Sequence, residues 1–102
     1  MELQAAAECL EALASPHRLG IYRLLVQSGI EGMSVGKIKE NLDMPSSTLS
    51  HHIAKLVNKE LITQERDSRT LLCCCNYQKM DELISYLSEN CCADSSSCNE
   101  KT

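Results

Sequence analysis

The sequence predicts a mainly α fold with a β-hairpin wing, in the order helix, helix, helix, helix, strand, strand, helix. Three observations predict it. Apolar residues recur at three- and four-residue spacing in five separate segments. Two of those segments are short and are divided by the tight break "DMPSS" at 43–47. Between residues 61 and 77 the helical period gives way to residues that suit strands, interrupted by Asp67-Ser68.

The elements follow in chain order. Residues 2–13 carry Leu3, Ala6, Leu10 and Leu13 at amphipathic spacing. In "SPHRLGIYRLLVQSG", Ser15 can cap, Pro16 suits the first helical position and Gly29 can terminate. Leu19, Tyr22, Leu25 and Val26 form its inner face, with Ile21 and Leu24 beside them, so the wide apolar arc predicts a central helix. Ser34 caps a third helix of about two turns carrying Val35, Ile38 and Leu42. A fourth runs from Ser46 to Asn58 with Leu49, Ile53, Leu56 and Val57 inward. Two short helices across a tight turn are a helix-turn-helix candidate. "LITQERDSRTLLCCCNY" then reads as a hairpin with Asp67-Ser68 at its tip. A last helix over 78–91 carries Met80, Leu83, Ile84, Leu87 and Cys91 on one stripe, with Cys92 just off it. Residues 93–102, "ADSSSCNEKT", have almost no apolar content and are expected to be a flexible tail. The organisation is therefore one domain, 1–92, followed by a tail that brings one more thiol.

Composition sets the bounds. A chain of 102 residues fits one domain with a modest core, and such a domain often relies on a partner subunit. With three Tyr and neither Trp nor Phe, Leu and Ile must supply that core. No apolar run approaches the roughly 20 residues of a membrane span. The acidic opening "MELQAAAECLEALA" lacks the basic region of a secretory signal, so a cytoplasmic protein without a membrane partner is expected. The net charge of −4 speaks weakly against nucleic acid, but the acids crowd the two ends. Between Lys37 and Arg69 six Lys/Arg stand against five Asp/Glu, and a local basic face is possible there.

The predicted order is that of a winged helix-turn-helix, whose second motif helix enters the DNA major groove. Its exposed face here would be Ser46, Ser47, Thr48, Ser50, His51 and Lys55. Short hydroxyls at a helix start can approach phosphates and base edges closely. Arg66 and Arg69 flank the hairpin tip, where they could reach an adjacent groove or phosphate. Each feature alone is more often a cap or a solvated turn; their order along one motif favours DNA. His52, three residues after Leu49, should face inward, and His51 outward.

There are seven cysteines, an odd number, and five have a cysteine neighbour. That suits a metal or redox site in a reducing compartment better than a secreted disulfide framework. In a strand, Cys73 and Cys75 share one face and Cys74 takes the other; one face is expected to pack on the core, so the run reads as buried small hydrophobes, with a second thiol or redox site left open for the exposed member. The terminal "ENCCADSSSC" is too polar to bury its three thiols.

"LEALASPHRLGIYRLL" (10–25) and "MPSSTLSHHIAKLVNKELI" (44–62) resemble the ArsR/SmtB family of metal-responsive repressors. The resemblance covers about 90 residues. It implies a cytoplasmic homodimer, joined through its first and last helices, that binds an operator palindrome in double-stranded DNA and releases it when a metal ion binds. Cys9, beside Leu10, would then pack at that interface. Two sites common in the family are missing: Ser34-Val35-Gly36 stands where one arsenic site has thiols, and the last helix has no His. "ENCCADSSSC" is similar to the C-terminal site of an arsenite-sensing subgroup, which implies Cys91, Cys92 and Cys98 as ligands.

Thiolates select soft ions. Trivalent arsenic takes three sulfurs, whereas structural zinc takes four ligands, usually with wider cysteine spacing. The resemblance thus implies an arsenic-responsive repressor with arsenite as inducer and no structural metal. Antimonite and organic trivalent arsenicals remain open as inducers, the latter needing only two thiols. The alternative is a thiol redox switch on the same fold. Oxidant sensors favour a basic setting, and Cys91 and Cys92 lie between Glu89 and Asp94. An enzyme such as an arsenate reductase would need an anion loop and cations that the tail lacks, so no enzyme is expected.

Overall fold

A computed structural model of the chain describes residues 1–92. The winged helix-turn-helix expectation holds. The elements are α1 (Leu3–Leu13), α2 (Pro16–Ser28), β1 (Met33–Ser34), α3 (Val35–Leu42), α4 (Ser46–Asn58), β2 (Ile62–Asp67), β3 (Thr70–Cys75) and α5 (Tyr77–Ser88). The tail, 93–102, lies outside the described residues.

Local signals set most boundaries. Ser15 Oγ accepts from Arg18 N and Ser34 Oγ from Lys37 N, so both act as N-caps. Gly29 closes α2 at φ 78°. Asn76 caps α5 by accepting from Lys79 N, while its Nδ2 donates to Glu60 O at 2.9 Å. Ile21, Leu25, Ile38, Leu49, Leu56, Leu61, Ile62 and Cys73 form the fully enclosed centre, with α2 packed against β3. The Tyr77 hydroxyl donates to Val26 O at 3.0 Å and ties α5 to α2. Among the described residues no charged or polar side chain is buried, and no helix is long and apolar enough to cross a membrane.

Five details differ from the sequence expectation. First, the sheet has three strands in the order β1-β3-β2, all antiparallel. Two-residue β1 shows no alternation of its own; it exists because Met33 and Ser34 pair with Cys73 and Leu72. Gly32, at φ 75°, permits this approach, since a Cβ there would collide with Cys74 Sγ and the Cys73 carbonyl oxygen.

Second, α1 turns its small residues inward. Ala6, Cys9 and Ala12 are buried, while Leu3 and Leu10 stay exposed. Cys9 therefore packs in the core of one subunit rather than at an interface. Third, Leu19 is 44% exposed and fully buried Ile21 takes its place on the inner face of α2. Fourth, the hairpin tip is Ser68-Arg69, closed by the pair Asp67↔Thr70, with Ser68 at φ 61°. Arg69 is thus part of the tip rather than beside it. Fifth, α5 ends at Ser88. Glu89 is extended and Asn90 takes the left-handed conformation that asparagine tolerates, so Cys91 lies in a turn beyond the helix.

Candidate nucleic-acid interface and thiol site

Three residues, Asp43, Met44 and Pro45, separate α3 from α4. Asp43 is left-handed at φ 50°, which reverses the chain, and buried Met44 pins the turn to the core. Leu49, Ile53 and Leu56 fix α4 against the centre through one face. The opposite face carries Ser46, Ser47, Thr48, Ser50, His51 and Lys55, all exposed, as expected from the sequence.

The start of α4 is open. Pro45 occupies the N-cap position and supplies no side-chain hydrogen bond. The first ladder bond there runs from Leu49 N to Pro45 O. The N–H groups ahead of it have no intrahelical acceptor. Among the described residues the hydroxyls of Ser46, Ser47, Thr48 and Ser50 have no partner either. Serines at a helix start usually cap; here they do not, and donors and hydroxyls converge where an anion is favoured. Arg66, on exposed β2, and Arg69, in the wing tip, add positive charge at the far end of the hairpin.

Behind the exposed face lies a group that periodicity showed only in part. His52 is half-buried rather than enclosed. Its Nδ1 lies 3.3 Å from Arg18 Nη1, and its ring stacks on His17 with centroids 5.6 Å apart. Arg18 Nε donates to Ala12 O. Arg18 drew no attention in the sequence because it stands 34 residues from its partner.

The cysteines divide into two environments. Cys73 and Cys75 are buried in β3, and burial pushes both thiols up from the ordinary range; Cys9 is pushed up by the same cause. Cys74 is half-buried, with its Sγ 3.7 Å from Ile30 O. Cys91 and Cys92 are exposed, and their sulfurs lie 3.5 Å apart. Cys92 is held left-handed at φ 61°. Cys98 lies outside the described residues. Among the described residues no three His, Cys, Asp or Glu side chains are grouped to hold a metal ion.

The fold and the open recognition helix define a DNA-binding transcription regulator. Residues 13–65 match the family described as Helix-turn-helix domain. The nodulation protein NolR of Rhizobium meliloti is 36% identical over 70 residues, which span 69% of this chain and 55% of NolR. The HTH-type transcriptional regulator YgaV of Escherichia coli (strain K12) is 30% identical over 95 residues, 89% of this chain and 94% of YgaV. Among solved structures, NolR from Sinorhizobium fredii superposes with a TM-score of 0.67 at 32% identity, covering 84% of this chain and 83% of that one. A possible transcriptional regulator for arsenical resistance superposes at 0.70 with 25% identity, covering 79% and 81%. The chain belongs to this helix-turn-helix family, as a regulator of the ArsR/SmtB type.

Proposed function

We propose that the chain is an arsenic-responsive transcriptional repressor of the cytoplasm. A homodimer binds operator DNA and leaves it when trivalent arsenic binds Cys91, Cys92 and Cys98. The observation that carries this reading is the Cys91–Cys92 pair, whose exposed sulfurs stand 3.5 Å apart, close enough for one soft ion to touch both. The likeness to a regulator named for arsenical resistance supports it.

The pair follows α5, whose Ile84 and Leu87 are 55% and 58% exposed. Leu3 and Leu10 on α1 are exposed as well. Large aliphatic side chains left open on two packed helices suit a second copy of the chain, so the thiols would sit beside the dimer contact. In the dimer each α4 would enter a major groove, with half-sites about one helical turn apart. Ser46, Ser47, Thr48, Ser50, His51 and Lys55 would read it, and Arg66 and Arg69 would reach flanking DNA. A third thiol drawn onto the pair would reorder the chain after α5 and shift the two recognition helices relative to each other. Allosteric couplings of about 1–3 kcal/mol weaken binding up to about 150-fold.

The test is fluorescence anisotropy on operator DNA under reducing conditions, with arsenite titrated against wild type, Cys91→Ser, Cys92→Ser and Cys98→Ser. Wild type should dissociate and all three variants should stay bound. A Cys98→Ser protein that still responds, above all to a methylated arsenical, would reduce the site to the pair. A wild type indifferent to arsenite would sink the arsenic reading, and release by oxidant would put a redox switch in its place.

A further inference from the structure

We propose that Arg18 is a positioning residue for operator recognition, and that it holds the recognition helix α4 through the neutral ring of His52. The proposal rests on the DNA-binding reading above and adds a pair of residues behind the exposed face.

The geometry is a fork. Arg18 lies in the first turn of α2. Its Nε donates to Ala12 O, near the end of α1, at 2.6 Å, and its Nη1 meets His52 Nδ1 at 3.3 Å. One guanidinium therefore joins the end of α1, the start of α2 and the middle of α4. A guanidinium has donors and no acceptor, so the contact requires Nδ1 to accept. That fixes the ring as neutral, with its proton on Nε2. His17 stacks on the same ring at an interplanar angle of 27°, and His51 leans on it with centroids 5.8 Å apart.

The surroundings keep the ring neutral. From α2 it faces Arg18 and His17; from α4, His51 and Lys55. From α1 come the Ala12 carbonyl and Glu11, which lines a hollow with Arg18 and Lys55. Among the described residues no carboxylate forms an ion pair with Arg18, His52 or Lys55. Partial burial, and then the Arg18 charge, hold His52 below the ordinary 6.5. The contact is complete when the ring is neutral. It is lost as pH falls through the lowered value, because a protonated Nδ1 cannot accept and repels the guanidinium. Fold stability moves in the same direction: as pH drops below 6.5 the unfolded chain takes up this proton first, and the native state loses ground.

The experiment uses reduced full-length protein and a duplex that the wild type selects from a random library, with a scrambled duplex as control. The readout is the ratio of the two affinities between pH 7.5 and 5.5. His52→Phe keeps a ring for stacking but has no acceptor. Its ratio should fall about tenfold at pH 7.5, the scale of one lost charge-assisted hydrogen bond. His52→Asn places an amide oxygen near the position of Nδ1 and cannot titrate. It should restore most of the ratio and lose less of it on acidification than the wild type does. Arg18→Lys keeps the charge but not the fork, and should behave as His52→Phe does. Nitrogen-15 NMR of labelled histidine should show the Nε2–H form of His52 at pH 7.5. Unchanged discrimination in His52→Phe, one pH profile shared by wild type and His52→Asn, or an Nδ1–H ring would each overturn the proposal. A wild type that selects no duplex would instead sink the DNA-binding reading on which it stands.

Discussion

Strand β3 and the turn after α5 carry the same residue type to opposite ends. Cys73 and Cys75 lie in β3, paired on both sides, and fill the core like small hydrophobes. Cys91 and Cys92 lie beyond the last helix, exposed and side by side. A run of thiols takes its character from its setting. Three consecutive cysteines draw the eye, yet alternation sends two of them inward, where burial disfavours the reactive thiolate. Two cysteines after a helix stop stay exposed, with their sulfurs side by side.

Gly32 is the most sensitive position on the β3 side. Gly32→Ala puts a methyl against Cys74 Sγ and the Cys73 carbonyl oxygen, at a backbone conformation that alanine resists. We expect a loss of about 2–3 kcal/mol in chemical denaturation. The β3 side of the comparison then weakens while the terminal pair is untouched. An unchanged midpoint would mean that β1 does not pack on β3 as described.

Cys73→Ser comes next. A hydroxyl at a position with 0% exposure should cost about 1–3 kcal/mol, by the same measurement, because it must find a new hydrogen bond. Cys91→Ser should move stability by less than about 0.5 kcal/mol, as exposed substitutions do. If the two serine variants unfold alike, the division into packed and available thiols is wrong.

Brief alkylation of native protein followed by peptide mapping should label Cys91 and Cys92 first and Cys74 more slowly. Cys9, Cys73 and Cys75 should stay unmodified until denaturant is added. Early labelling of Cys75 would show that β3 opens readily.

Much of this division was legible in the chain, because strand alternation and helix caps are local. Ser15 and Ser34 cap as read, and the inward triad Leu49, Ile53 and Leu56 gave the recognition helix its outer face. What was not legible depends on contacts distant in sequence. Spacing on α1 marked Leu3, Ala6, Leu10 and Leu13 as one stripe, but it is Ala6, Cys9 and Ala12 that pack inward, and Leu3 and Leu10 stay exposed. Helical spacing carried α5 on to Cys91, although among the described residues nothing covers Ile84 and Leu87 to reward the extra turn. Strand β1 owes its two residues to β3 alone. The Arg18–His52 contact spans 34 residues and has no pattern at all.

One feature of α4 reaches further. Its outward serines, threonine and lysine bond to nothing among the described residues, and the helix start takes no cap from its serines. No hydrogen bond among the described residues depends on them. On the proposed reading, substitutions at these positions would change which DNA address is read without re-solving the packing beneath them. Copies of such a gene could then diverge onto separate promoters and avoid cross-talk while keeping one architecture.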